Sequence, residues 1–584
     1  MKIKNINICN WRSIKNTVLS ANDLMIIIGQ NNHGKSNLLS SILFFFGEIK
    51  AQNLDFHLGS KELYVEVEFY ELDQQDKITF KKYLTKENTI KVRKTAYYNG
   101  SFEYQGWIET CNDDFLKEEN ASAYTKREVA MSLPFYKYLP HNGRISKQDI
   151  INAQLKYIEE ERENVSFEYI LENNNFLGLK SVAKGIFGEV YFLPALKNAN
   201  EDFSSKDSSI FSNLLSEMIN LMSDSNPEWM KSKEQLSSLF SSFNKYIDGK
   251  ENNNRPIQLT DLEAALSNEL KPWNAEFDIE ILTPDIESIF KTSASVQIND
   301  GARTDISHKG HGLQRAVTIA LIQLLAKKQI AKKTEQPLSN RSSSKSRFFI
   351  FEEPELYLHP QAQRALFDSL VYLSESGNQV ILCTHSSGLI DINQYKSIYI
   401  IKKENNHLGS QVTQCNEDLF DGNDRDNWNL SYWINPDRSE LFFAEKVILV
   451  EGPTEKAIIP ALAKRINTFK YTHTIIDCAS KDNIPLYMKL LNKFGIPYIA
   501  IYDKDHQNKK NQDAKNNADK SSARIENELN CDLGSTVILI NDIEEELGYE
   551  SGNSGKPFEA LKYINSPNFI LTKELEDKIK KIYQ

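Results

Sequence analysis

Arg347-Phe348-Phe349-Ile350-Phe351-Glu352-Glu353-Pro354-Glu355-Leu356-Tyr357-Leu358-His359 is the stretch from which the rest of the chain can be read. The apolar run Phe348-Phe349-Ile350-Phe351 is too short for a helix and predicts a strand buried on both faces, the pattern of a parallel sheet covered by helices. Glu352 and Glu353 follow at once, so two carboxylates stand at the strand's carboxyl end, where open α/β sheets collect their ligands. A strand that simply ends in solvated acids would read the same way, but three other stretches supply what these carboxylates would need.

Far upstream, residues 24–28 form a second apolar strand, followed by Gly29-Gln30-Asn31-Asn32-His33-Gly34-Lys35-Ser36 and a helical run over 37–46. This is G-x-x-x-x-G-K-S between a strand and a helix, the context that a phosphate-binding loop requires. The glycines let backbone N–H groups cradle phosphates at a helix N-terminus, Lys35 neutralises phosphate charge, and Ser36 is placed to ligate Mg²⁺. The nucleotide-binding set is then Gly29, Asn32, Gly34, Lys35, Ser36 and Asn37, with Glu352 completing the Mg²⁺ shell and Glu353 polarising the attacking water. Ser307-His308-Lys309-Gly310-His311-Gly312-Leu313-Gln314-Arg315 opens a helix predicted to run to about residue 327, and sets Gly310, Gly312 and Gln314 at a second anion-binding N-terminus. Residues 380–386 predict a buried strand ending in Thr384-His385-Ser386, with His385 placed to sense a γ-phosphate.

At 584 residues the chain is long enough for two or three domains, and its 40% hydrophobic and 26% charged content is that of a globular protein. A net charge of −11 gives no overall basic face, so nucleic acid would have to be held by local patches or by metals. The six cysteines are scattered without a C-x-x-C pair, which predicts neither a disulfide framework nor a zinc site and fits a reducing cytoplasm. The opening residues do not read as a signal peptide and no apolar run is long enough to span a bilayer, so neither a leader nor the fused membrane domain of a transporter is expected.

Along the chain, residues 63–69 alternate as a half-exposed strand, 147–162 read as a charged helix, and 190–194 as a return to the central sheet. Residues 210–222, 232–247 and 260–270 predict amphipathic helices, 331–346 a Lys- and Ser-rich surface loop, and 402–440 a polar linker. Beyond it, three buried strands each end in acids: 446–450 before Glu451-Gly452-Pro453-Thr454-Glu455, 497–502 before Asp503-Lys504-Asp505, and 536–540 before Asn541-Asp542-Ile543-Glu544-Glu545-Glu546. A doubly wound sheet gathers such ends into one crevice. Packed together without cations, these carboxylates would repel and their pKa values would rise. Mg²⁺ or Mn²⁺ relieves that, and two such ions about 4 Å apart would activate a water and stabilise the leaving oxygen of a phosphodiester.

The phosphate loop, glycine-rich helix start, strand-Glu-Glu-Pro-Glu and strand-Thr-His-Ser, in that order, resemble an ABC-type ATPase of the RecF/SMC group, as does the opening Ile3-Lys4-Asn5-Ile6-Asn7-Ile8-Cys9-Asn10-Trp11-Arg12-Ser13-Ile14. Glu352 stands where that group has Asp, and the Ser-Gly-Gly start of its signature is missing; both departures bear on turnover speed rather than on nucleotide binding. The acidic strand ends resemble the Toprim domain, and an ABC ATPase followed directly by Toprim resembles the OLD-family (overcoming lysogenisation defect) nucleases, including those of Gabija and retron antiphage systems.

This resemblance implies an α/β fold: ATPase parts at 1–195 and 276–401, a helical insertion at 196–275, the linker at 402–440, and a Toprim nuclease domain at 441–584. The insertion reads equally as an ordinary helical subdomain or as a dimerisation element. By position, Glu451, Glu455, Asp503 and Asp505 match the family's first acidic motifs, and Asp542, Glu544 and Glu546 its later cluster. Lys556, in Gly555-Lys556-Pro557, matches its active-site lysine, able to neutralise charge on the phosphate; a surface lysine would look alike. Lys504, Lys509, Lys510, Lys515 and Lys520 read as a basic loop that either grips a DNA backbone or merely solubilises the chain. The implied function is an ATP-regulated DNA endonuclease using Mg²⁺ or Mn²⁺ in antiphage defence. It would be cytoplasmic and homodimeric, with a UvrD-like helicase or a reverse transcriptase as partner. One rival reading is an ATP-gated DNA-binding clamp whose Toprim domain does not cut; a second, a topoisomerase-like or primase-like enzyme, is disfavoured by the missing strand-passage gate and zinc ribbon.

Overall fold

A computed structural model describes residues 1–161, 165–179, 182, 185–195, 227–247, 250–252, 255–270, 277–281, 297–330, 346–403, 408–420, 436–506, 511–548, 556–567 and 569–584. The chain packs as two compact units, one made of Met1–Leu193, Pro337–Glu355 and Pro360–Gln584, the other of Pro194–Gln336 with Leu356–His359.

Among the described residues, the larger unit holds three sheets. The first is antiparallel, in the order Ile14–Ser20, Lys2–Trp11, Glu62–Tyr70, Ile90–Tyr97, Phe102–Cys111, Phe167–Leu171. The strand expected at 63–69 lies in its middle. Its outward row is less exposed than alternation suggests, because Glu66 is buried between Lys91 at 2.7 Å and Arg93 at 2.8 Å.

The second sheet runs Gln411–Gln414, Ile398–Lys402, Leu24–Ile28, Gln379–Cys383, Arg347–Glu352, Glu189–Leu193, parallel except for its first pair. Every residue of Leu24–Ile28 and Gln379–Cys383 is buried, as the continuous apolar runs require of a sheet covered on both faces. Because Gln379–Cys383 lies between the phosphate-loop strand and the Glu-Glu strand, all three motifs emerge side by side at one edge. The segment expected to be a linker begins differently: Gln411–Gln414 pairs antiparallel with Ile398–Lys402 and closes the sheet's edge. Four residues with one apolar side chain gave no periodicity by which to see this.

The third sheet is parallel, in the order His473–Asp477, Lys446–Val450, Tyr498–Asp503, Gly534–Leu539. Its first strand was not anticipated. The basic loop expected around 504–520 is mostly helix: Lys515 and Lys520 lie on Gln512–Glu528, whose N-cap Asn511 accepts from the Ala514 N–H at 2.8 Å and which buries Ile525. Lys509 and Lys510 lie outside the described residues.

In the smaller unit, helices Pro227–Ser241, Ile257–Leu270 and His311–Ile330 are described. The helix expected at 232–247 starts five residues earlier, on a proline suited to a first turn, and stops at Ser241, so that Tyr246–Ile247 can pair with Lys250–Glu251. The helix expected at 210–222 and the loop expected at 331–346, Ser346 excepted, fall outside the described residues. None of the six cysteines forms a disulfide, and among the described residues no helix is long and apolar enough to cross a membrane.

Candidate functional site

The phosphate loop leads from its strand into helix Lys35–Phe46 through three left-handed residues, Gly29 (φ 149°), Asn32 (φ 64°) and Gly34 (φ 110°). Glycine is needed twice for space as well as for angle. A Cβ at Gly29 would lie 2.3 Å from the Ile401 carbonyl oxygen, and one at Gly34 2.6 Å and 2.8 Å from the Ser410 and Ser13 hydroxyls. The buried Lys35 ammonium lies back over the loop, donating to the carbonyls of Gly29 and Gln30 at 2.9 Å each. Burial lowers its pKa, against the opposing pull of Cys383, Glu353 and Glu355. Ser36 is exposed, whereas Asn37 is turned to the framework: it donates to Ser13 Oγ at 2.8 Å and accepts from Arg12 at 3.3 Å.

Across the sheet edge, Glu352 ends its strand in register with Cys383. Glu353 takes a left-handed turn (φ 45°) and places a carboxylate oxygen 3.7 Å from His385 Nε2. Burial and then the Lys35 cation lower the His385 pKa, with Glu353 and Glu355 pulling the other way. Glu355, which the sequence reading quoted but gave no role, is what fixes the histidine turn. Its buried Oε1 accepts from Thr384 Oγ1 at 2.7 Å and from the His385 N–H at 2.8 Å. The third glutamate of Glu-Glu-Pro-Glu was the available signal.

In the smaller unit, taken by itself, a Cβ at Gly312 would come 2.9 Å from the Tyr357 carbonyl, while Gly310 has open space around it. Gln314 is buried and pins its own turn, donating to the carbonyls of Ile306 at 3.0 Å and Lys309 at 2.8 Å.

The second cluster sits at the carboxyl edge of the third sheet. Glu451 Oε1 accepts from the Asp503 N–H at 2.7 Å, and Glu455, in the first turn of helix Pro453–Arg465, accepts from the Gly452 N–H at 3.1 Å. Burial, then Glu451, Glu455, Asp505 and Asp542, push Asp503 up to about 9. Burial, then Glu451 and Glu544, push Glu455 up to about 7. Six of the seven expected acids therefore feel one another: Glu451, Glu455, Asp503, Asp505, Asp542 and Glu544. Glu546 is held elsewhere, its carboxylate covered and bonded to the Ile540 N–H at 2.9 Å and to Lys578 at 2.6 Å. Lys556, at the start of helix Lys556–Ile564, lies 3.3 Å from Glu544. Two residues of this edge escaped the sequence reading, Asp477 at the end of the first strand and Lys481 beyond it.

Among the described residues no three His, Cys, Asp or Glu side chains close on a common point tightly enough to grip an ion as they stand. The donor set nonetheless fits a hard cation. Asp503 Oδ1 is buried with no hydrogen-bond partner, and burial and neighbouring acids disfavour the anions of both Asp503 and Glu455, the situation that an oxygen-seeking divalent ion relieves.

Residues 1–390 match the family model described as an AAA ATPase domain, and residues 442–505 match the model described as the TOPRIM domain of overcoming lysogenization defect protein-like proteins. The chain is 25% identical over 519 residues to the Old nuclease of Escherichia phage P2, covering 86% of this chain and 77% of that protein. It is 26% identical over 233 residues to the OLD nuclease of Thermus scotoductus, covering 37% of this chain and 43% of that protein. It is also 26% identical over 189 residues to the endonuclease GajA of Bacillus cereus, covering 28% and 27%.

Proposed function

The chain belongs to the AAA ATPase domain family, and from that premise we propose that it is an ATP-regulated, divalent-metal-dependent DNA endonuclease, with ATP handled on the second sheet and phosphodiester cleavage on the third. The observation that carries the reading is Asp503: a half-buried residue with one buried, orphaned carboxyl oxygen, pushed up to about 9 by desolvation and four neighbouring acids, at the carboxyl edge of a parallel sheet.

Glu451, Glu455, Asp503, Asp505, Asp542 and Glu544 would hold the metal, Mg²⁺ or Mn²⁺. When bound, it would supply Lewis acidity and a water activated near neutral pH. The chain's own part is orientation and charge. Glu451 fixes the Asp503 backbone, Glu455 caps the helix that follows Glu451, and Lys556, beside Glu544, faces the negative charge of the DNA backbone. On the second sheet, Lys35 would exchange its two carbonyl partners for phosphate oxygens. Ser36 and Glu352 would complete the Mg²⁺ shell, Glu353 would orient the attacking water, and His385 would register the γ-phosphate.

Homodimerisation through the insertion, with the Gly310–Gly312 turn of one copy completing the nucleotide site of another, and a role in antiphage defence are further parts of this reading, supported by the ABC and Gabija resemblances. The test is plasmid DNA with Mg²⁺ or Mn²⁺. Nicking or cutting that is lost with EDTA and lost in Glu451→Ala supports the nuclease. DNA binding without cleavage at any metal concentration would leave the ATP-gated clamp instead.

A further inference from the structure

We infer that Lys481 is a positioning residue of the nuclease site, holding the Asp503–Asp505 turn in the geometry that receives the metal; this rests on the nuclease reading above. The residue belongs to the turn Lys481–Asn483 that follows strand His473–Asp477. That strand is two places away from Tyr498–Asp503 in the sheet, about 10 Å at ordinary strand spacing, with Lys446–Val450 between them. Lys481 crosses this gap. Its ammonium donates to the Asp503 carbonyl oxygen, lies 3.7 Å from Asp505 Oδ2, and sits 5.3 Å from the centre of the Tyr502 ring. Its side chain is 8% exposed, rare for lysine.

The turn that carries it is locked from several sides. Asp477 Oδ1 accepts from the N–H of Ala479, which is held left-handed at φ 61°. Asn483 donates to the Cys478 carbonyl at 2.9 Å, and Asp482 accepts from Ser521 Oγ at 2.7 Å on helix Gln512–Glu528. A turn fixed on that many points presents its lysine in one direction.

The consequence falls on Asp503. Its N–H is taken by Glu451 and its C=O by Lys481, so both backbone groups are clamped by side chains from two different strand ends. Its own carboxyl is left with a buried, unpartnered oxygen. Two residues on, Asp505 is left-handed at φ 60°, a conformation a non-glycine residue keeps only when its surroundings impose it. Lys481 touches the turn at its start, on Asp503, and at the kink itself, on Asp505. Supporting groups of this kind set how well first ligands are aimed, and losing one typically costs 10–100-fold in metal affinity or activity.

The experiment uses full-length Lys481→Met and Lys481→Arg. Mn²⁺ binding is measured by calorimetry without DNA, half-saturating metal by plasmid cleavage, and ATP hydrolysis as the check that the rest of the chain is folded. Lys481→Met is expected to weaken Mn²⁺ binding and raise the half-saturating concentration roughly tenfold, and Lys481→Arg to recover part of both. Equal or tighter Mn²⁺ binding by Lys481→Met overturns the inference, because tighter binding is what deleting a repelling cation alone would give. If Lys481→Met loses ATP hydrolysis, Lys481→Gln, which keeps a donor without the charge, is held to the same two outcomes. A wild-type chain that binds no Mn²⁺ fails differently, since it sinks the nuclease reading itself.

Discussion

The two sheet edges differ in which groups they perturb, nitrogen bases at one and carboxyls at the other. At the second sheet a buried lysine is kept on backbone carbonyls, its pKa lowered by burial, beside a histidine whose pKa is lowered by burial and by that same lysine. At the third sheet six carboxyls crowd together, and two of them are pushed up to about 7 and about 9. The first edge holds a lysine whose charged form is disfavoured, and the second holds carboxyls whose charged form is disfavoured. A triphosphate would settle one and divalent cations the other. Groups perturbed in this way cluster at functional sites, whereas a structural ion pair can satisfy itself. Glu546 with Lys578 is such a pair, within the same strand-end segment as Asp542 and Glu544.

The largest expected effect would break this contrast at its acidic end. Asp503→Asn should lower DNA cleavage roughly 10⁴-fold, the scale at which one member of a catalytic unit acts, while ATP hydrolysis stays at the wild-type rate. The variant should also melt higher than wild type in EDTA, since it removes a buried carboxyl that the folded site destabilises. Cleavage that survives in Asp503→Asn would mean that the raised pKa marks a structural acid.

The next effect tests the other edge. Glu353→Gln should keep nucleotide binding and slow ATP hydrolysis about 100-fold, within the range for a lost general base. Lys35→Ala should instead weaken binding itself. If Glu353→Gln turns ATP over normally, another group orients the water, and Glu355, already committed to Thr384 and His385, is poorly placed to be it.

A smaller effect sharpens the contrast through pH. Asp503 moves from an ordinary value near 4 to about 9 on folding, so between those values the folded chain holds a proton that the unfolded chain does not. Stability then falls as pH rises through that window, with Glu455 adding to the slope up to about 7. Metal-free protein should therefore melt several degrees lower at pH 8.5 than at pH 6. Mg²⁺ should raise the melting temperature more at pH 8.5, where the carboxyls give up their protons more readily to the ion. A Mg²⁺ effect that is equal at both pH values would separate the acids from the metal.

How much of this could be read from the residues alone follows from range. The strands Leu24–Ile28 and Arg347–Glu352 declare themselves by unbroken apolar runs, and the phosphate loop by spacing within eight residues. The acids at the strand ends were visible for the same reason, since each lies next to its own strand. What stayed hidden depends on which strands are neighbours. Lys481 acquires meaning only because His473–Asp477 lies beside Lys446–Val450, and Glu546 finds Lys578 thirty-two residues on. Helix Gln512–Glu528 buries so little that its periodicity was lost among polar residues, and it read as a loop.

The smallest expected effect asks whether the two edges communicate. A continuous path exists in the larger unit. Gly29 of the phosphate loop packs on the Ile401 carbonyl, and the next residue, Lys402, donates to the carbonyls of Phe494 at 3.3 Å and Gly495 at 2.6 Å. These end helix Ile484–Phe494, whose first turn follows directly on Lys481–Asn483. Lys493 of the same helix pairs with Glu417 at 2.9 Å, and Tyr487 with Arg438 at 2.9 Å. One helix thus has its end tied beside the phosphate loop and its start beside Asp503. A nucleotide that shifts Gly29 would move that helix only by differing in its affinity for two arrangements, as any coupling requires. ATP or a non-hydrolysable analogue is therefore expected to change plasmid cleavage several-fold, near the low end of typical coupling. Lys402→Met should shrink that change to less than about twofold while basal cleavage and ATP binding persist. His385→Ala should shrink it from the nucleotide's side. Free Mg²⁺ must be held constant throughout, because ATP removes the metal that cleavage needs. A nucleotide effect that vanishes at constant free Mg²⁺ would make the two edges independent machines on one chain. An effect that stays whole in Lys402→Met would leave them coupled by some route other than this helix.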